Sequence, residues 1–209
     1  MASQTGRGLD TKYKRILSHE RTWAYALAAA LRRRRPITVW EVLMPLFLVF
    51  NYARASADRD FMAQNFLFTK EPALKAAFDI LKRCRQRDAV RADIEAKTGR
   101  ILAEDKGGLY SEAIRAAQLR EIDLLTDHYL KLLAANGSDY ASLVSAAYPA
   151  KEGYLHFLNA LEAAERDVSD AALDTLGPRG DPGFAAAVQE HSVRLRMAEA
   201  DAIYGTASI

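Results

Sequence analysis

LYSEAIRAAQLREIDLLTDHYLKLLAA, residues 109–135, decides the fold of this chain. Leu109, Ala113, Ala116, Leu119, Ile122, Leu125, Tyr129 and Leu132 recur at steps of three or four, the spacing of one helical face. Gly107-Gly108 stands just before it and reads as a turn. On the other side of that turn, residues 70–105 read as a second helix. Leu74, Phe78 and Leu81 set its face, and Val90, Ile94, Ile101 and Leu102 continue it sparsely. Thr69-Lys70-Glu71-Pro72 looks like its start, with Thr69 as cap and proline in the first turn. Gly99 is the weak point within it. Two helices meeting at such a turn make an antiparallel hairpin, each arm about 40 Å long at the α-helical rise. Few large apolar side chains occur in 82–100, so the end near the turn is expected to project as a narrow arm.

Working outward, residues 1–10 read as a flexible N-terminus and 11–34 as a helix. Ile16, Trp23, Leu27 and Leu31 lie near one stripe of it, and Pro36 stops it. After the hairpin, Asn136-Gly137 signals a helix end with glycine in the left-handed conformation. Ser138 or Asp139 then caps a short helix bearing Tyr140, Leu143, Val144 and Ala147, closed by Pro149. Residues 150–176 form a helix with Tyr154, Leu158, Leu161, Val168 and Ala172 inward. A Gly/Pro linker, 177–183, leads to a last helix with Phe184, Val188, His191, Leu195 and Ala198 on one stripe; 205–209 is a tail. No run alternates like a strand. The expected fold is all-α: one domain, 11–204, an elongated helical bundle built on a long antiparallel helical hairpin (about 70–105 and 109–135) with shorter packed helices. Its alanine-rich helix faces are compatible with a coiled-coil-like homodimer.

Composition sets the chemistry. The chain has 209 residues, 50% of them hydrophobic, enough for one sizeable core. Its net charge of +2 hides an asymmetry: residues 1–100 hold 20 Lys/Arg against 10 Asp/Glu, and the rest is acidic. Cys84 is the single cysteine, which excludes an internal disulfide and fits a reducing, cytoplasmic setting.

Two basic features follow. Arg32, Arg33, Arg34 and Arg35 run into the apolar block ITVWEVLMPLFLVFNY, residues 37–52. That junction fits a segment lying on an anionic membrane leaflet, the arginines on lipid phosphates and Trp40, Leu43, Leu46, Phe47 and Phe50 in the acyl boundary. The block fits equally the central core helix of a soluble bundle. It is short of the roughly 20 residues a spanning helix needs, and it contains Glu41 and Pro45. Ala53-Arg54-Ala55 imitates a signal cleavage site, but the long leader and Glu41 argue against one. The second feature is Lys82, Arg83, Arg85, Arg87 and Arg91, a candidate patch for an anionic partner such as nucleic acid. Those cations run around the helix and do not form one stripe.

No phosphate loop, dinucleotide fingerprint or nucleophile elbow occurs. The Glu-x-x-His step of bundle metal sites is absent too; Glu152-x-x-x-His156 shares a face but is one pair. No catalytic residue, cofactor or metal is therefore assigned. The sequence points to a non-enzymatic helical adaptor or accessory protein, peripheral at the cytoplasmic membrane face through Arg32–Arg35 and 37–52. Its partner would be a protein or an anionic membrane. The alternatives are a nucleic-acid- or protein-binding module using 82–91, and a bundle enzyme without a recognisable motif.

Overall fold

The structure, a computed structural model, describes residues 2–31 and 58–205. Among these the chain is all helix and turn, with no strand, and it packs as a helical bundle. The membrane- or core-reading of Arg32 to Arg35, Trp40, Leu43, Leu46, Phe47 and Phe50 falls outside the described residues.

Helix α1 (Ala2–Leu31) starts earlier than the sequence suggests. Its first turns have something to hold. Leu9 and Tyr13 pack on the core, and Lys12 Nζ donates to the carbonyls of Leu133 and Ala135 at 3.1 and 2.6 Å. That cation thus satisfies carbonyls that a helix end leaves unpaired. Helices α2 (Asp58–Leu67) and α3 (Lys70–Arg83) run in succession down α1, antiparallel to it. The Arg59 guanidinium lies over the Tyr25 ring, Lys70 pairs with Glu20, and Lys82 pairs with Asp10.

The first arm of the expected hairpin is divided. Helix α3 stops at Arg83, and α4 (Arg87–Glu104) begins after a sharp corner. Cys84 makes that corner at φ 51°, and the next amide, from Arg85, bonds back to the Asp79 carbonyl at 3.3 Å. Lys82 and Arg83 fill the last turn of α3, where cations favour the helix dipole. Gly99 breaks nothing; α4 runs through it. Nor is Thr69 a capping residue: its backbone is helical, and its hydroxyl donates to Glu121 instead.

Helix α5 (Glu112–Ala134) returns antiparallel to α4. Arg87 meets Asp127, Arg91 meets Asp123 and Arg115 meets Thr98, pairs whose numbers fall on one side as they rise on the other. Gly108, at φ 60°, sits in the turn as expected. The tip does not project. Ile101, Tyr110 and Ile114 are buried against Leu27, Leu31, Leu176 and Phe184, and Ser111 Oγ is 2.7 Å from Thr175 Oγ1. Tyr110 and Ile114 sit one position off the stripe counted from Leu109 and Ala113, and that offset turns the tip inward.

Helix α6 (Tyr140–Ala147) opens on a reciprocal cap between Asp139 and Ser142. Gly137 is not left-handed as expected; it is required because a Cβ there would stand 2.7 Å from the Leu143 amide nitrogen. Helices α7 (Lys151–Leu176) and α8 (Pro182–Tyr204) form an antiparallel pair across a short Gly177–Arg179 turn. Tyr154, Leu158, Leu161, Val168 and Ala172 are inward, as their spacing implies. On α8 the buried face is Phe184, Ala187, Ser192, Arg196 and Ala200, rotated from the apolar stripe that the sequence offers. Two apolar clusters result, one around Leu125, Tyr129, Leu132 and Leu158, the other around Trp23, Leu27 and Phe184. Polar groups of α1, α3, α5, α7 and α8 meet between them.

Candidate functional site

Trp23 is the pivot. It points from α1 into the seam between the two clusters, with Lys70 Nζ 4.3 Å and Arg196 Cζ 4.8 Å from its ring centre. Each cation also has its own carboxylate. Lys70 Nζ donates to Glu20 Oε2 at 2.7 Å, with both side chains buried. Arg196 grips Glu165 with two bonds of 2.6 and 2.5 Å. The fork of guanidinium on carboxylate is the strong form of such a pair. Burial pushes the Glu20 carboxyl up, but the charge and hydrogen bond of Lys70 outweigh it and hold the group below its ordinary value. Burial pulls Arg196 down, while Glu165 more than restores it, so its pKa is raised.

Inside Trp23 lies a closed polar core. Tyr154 donates to Glu199 at 2.9 Å, and His19 Nε2 is 2.7 Å from the other oxygen of that carboxylate. His19 stacks on Tyr140 with ring centres 3.4 Å apart. His128 Nδ1 lies 2.9 Å from the Tyr148 hydroxyl, and its ring is parallel to Phe157 at 3.9 Å. Burial drives the His128 pKa down to about 3, so the ring is neutral near pH 7. The neighbouring phenols of Tyr129, Tyr140 and Tyr154 are all raised by burial. Most of these groups are paired, although the buried Tyr129 hydroxyl has no hydrogen-bond partner among the described residues, and the core is a structural keystone more than a workspace.

Outside Trp23 the arrangement differs. A cleft of about 100 Å³ opens between α1, α2, α5, α7 and α8. Leu27, Phe68, Val168 and Val188 give it apolar walls. Set into these walls are polar atoms with no hydrogen-bond partner among the described residues: Trp23 Nε1, both amide atoms of Asn65, and Ser192 Oγ. Buried polar groups are paired in most proteins, so several unpaired ones lining one cleft are unusual. Glu121 is there as well. Its Oε1 accepts from Thr69 at 2.6 Å. Burial, helped by the charge of Glu165, pushes its carboxyl up to about 7.

The basic patch expected from the sequence lies on another face. Arg83 pairs with Asp79 at 3.3 Å and Arg85 with Asp93 at 2.7 Å. Arg91 reaches Glu95 and Asp123 at 3.0 and 3.1 Å, while Lys82 and Arg87 pair with Asp10 and Asp127. Every cation of the patch thus faces a carboxylate of the chain itself. Cys84 is exposed beside them. Among the described residues no group of three or more metal-ligating side chains converges, and no helix is long and apolar enough to cross a membrane.

Sequence reasoning missed the cleft because its key residues, Asn65, Glu121, Glu165 and Ser192, are polar and break the apolar stripes. The signal that could have found them is position: Glu121 lies one residue before Ile122, and Ser192 and Arg196 are four apart on α8. Compared with known proteins, the chain matches no family model, no curated protein and no solved structure.

Proposed function

We propose that this chain is a helical accessory protein that sits peripherally on an anionic membrane surface, using the basic and apolar stretch 32–57. The observation that carries this reading is where that stretch is attached. Helix α1 ends at Leu31 and α2 begins at Asp58, and the two helices lie side by side, antiparallel. Trp23 meets Phe66 edge-on, and Arg59 covers Tyr25. The two described ends that flank residues 32–57, Leu31 and Asp58, therefore stand at the same end of the α1–α2 pair, a placement that suits a stretch addressed to an outside surface.

Charge supports the same reading. Residues 32–57 contain five Arg and one Glu, net +4 against +2 for the whole chain, which leaves −2 for everything else. The bundle alone is not basic, and the cations at 82–91 are matched by carboxylates. Attraction to lipid phosphate is thus concentrated in Arg32 to Arg35, with Trp40, Leu43, Leu46, Phe47 and Phe50 as the apolar part. The same pairing weakens the nucleic-acid alternative, whose salt-sensitive affinity needs unmatched cations.

Flotation with anionic and with neutral vesicles tests the proposal. Wild-type protein should float with anionic vesicles only. Replacing Arg32 to Arg35 by alanine, or Phe47→Glu, should abolish flotation while circular dichroism stays unchanged. Wild-type protein that ignores vesicles, together with a Phe47→Glu variant that unfolds, would mean that 37–52 belongs to the core.

A further inference from the structure

Once Glu121 is ionised, the charges around the outer cleft do not cancel, and the remainder has a definite sign. Glu20 is matched by Lys70 and Glu165 by Arg196, each at hydrogen-bonding distance. Glu121 is the carboxylate left over. Thr69 donates to one of its oxygens, and no cation of the chain forms an ion pair with it among the described residues. It is only 5% exposed, so its ionised form lacks water as well as a counter-ion. An anion entering the cleft would meet Glu121, Glu165 being neutralised by Arg196. A cation would meet an unmatched carboxylate in a poorly hydrated place, where such a bond is strongest.

The uncharged groups narrow the chemistry further. Ser192 and Trp23 are more than nine-tenths buried, and their Oγ and Nε1 atoms have no partner among the described residues. Trp23 Nε1 can only donate, so it needs an acceptor. Asn65 Oδ1 and Ser192 Oγ can accept, so they suit an N–H donor. The matching molecule has an ammonium group and an oxygen close together at one end. Leu27, Phe68, Val168 and Val188 demand an apolar body at the other.

We propose that this cleft binds a small organic cation of the amino-alcohol type, an ammonium beside a hydroxyl on an apolar body. The Glu121 carboxylate is its counter-ion, and Asn65, Ser192 and Trp23 Nε1 take its remaining hydrogen bonds. The proposal is argued from the cleft's own lining and not from the membrane reading.

Three probes of one shape test it: phenylalaninol (cationic), 3-phenylpropan-1-ol (neutral) and 3-phenylpropanoate (anionic). The Trp23 indole N–H resonance, assigned with a Trp23→Phe variant, reports occupancy of the cleft. Phenylalaninol should move that resonance and bind at least about tenfold more tightly than the neutral alcohol, the factor one good charge-assisted bond gives. Glu121→Gln should erase this preference while leaving the weak binding of the neutral alcohol. Ser192→Ala should weaken phenylalaninol without erasing the preference. Equal affinity for the cationic and neutral probes, preference for the anion, or an unmoved Trp23 resonance with all three would each overturn the proposal.

Discussion

Glu20 and Lys70 stand 50 residues apart in the chain and 2.7 Å apart in the fold, with side chains 7% and 6% exposed. The pair ties α1 to α3 beneath Trp23. Removing one partner of a buried pair strands the other charge, at a cost of about 3–5 kcal/mol. Lys70→Met should therefore destabilise the protein by about that amount, and it also removes the cation over Trp23. Joining it with Glu20→Leu should recover much of the loss, because a matched apolar pair needs no desolvation of ions. Urea unfolding of the two variants decides this. A Lys70→Met loss below about 1 kcal/mol would show that water reaches the pair.

Glu121 makes the fold sensitive to rising pH. Its folded pKa, about 7, lies above the ordinary 4.5. Between those values the folded state keeps a proton that the unfolded state has lost, so stability falls as pH rises from 4.5 to 7. Above that window the full cost of the buried charge remains, at most about 3 kcal/mol. Glu121→Gln keeps an acceptor for Thr69 and removes the charge. The variant should equal wild type near pH 5 and exceed it in melting temperature at pH 8. Parallel melting curves at both pH values would refute the assignment.

Much of the fold is legible in the amino-acid order alone. The stripe of α7, the second half of the α5 stripe (Ile122, Leu125, Tyr129 and Leu132), the Gly107-Gly108 turn, the Asp139 cap and the stop at Pro149 follow from local rules, and each lies where those rules put it. The corner at Cys84 is not legible, because neither glycine nor proline marks it; the contacts of α3 and α4 with α5 select it. The docked tip escapes for a related reason: Tyr110 and Ile114 fall off the stripe that starts at Leu109. The cleft is least legible of all. Hydrophobic periodicity assigns Ser192 and Glu121 to the surface; the bond from Thr69 helps to admit Glu121, while the Ser192 hydroxyl is buried without a partner among the described residues.

His128 gives the opposite pH response. Its folded pKa is lowered to about 3 by burial, against an ordinary 6.5. Below 6.5 the unfolded chain takes up a proton that the folded chain refuses, so stability falls progressively as pH drops from 6.5 towards 3. Over 4.5 to 6.5 this trend opposes that of Glu121, and wild-type stability should be nearly flat there from these two groups. His128→Phe preserves an aromatic surface for Phe157 but loses the bond to Tyr148. It should be destabilised near pH 7 by about 1 kcal/mol, the worth of one hydrogen bond. Relative to wild type it should gain ground as pH falls to 4. A constant difference across that range would mean that His128 is protonated within the fold.

Two turns make the last prediction, in opposite directions. Cys84 is exposed and held at φ 51°, a conformation that strains any residue with a side chain. Cys84→Gly relieves that strain and removes no buried contact, so it should stabilise by about 0.5–1 kcal/mol after glycine's greater unfolded entropy is subtracted. Gly137 carries no such strain, yet its surroundings are closed. A Cβ there would lie 2.7 Å from both the Leu143 amide nitrogen and Ser142 Oγ. Ser142 Oγ also accepts from the Asp139 amide at 3.1 Å, so the added atom would push apart the cap that starts α6. Gly137→Ala should therefore destabilise by about 1–3 kcal/mol, the range for overpacking joined to a lost cap. Thermal unfolding of the two variants reads both signs, and a stabilised Gly137→Ala would show that the Asp139–Ser142 turn yields at little cost.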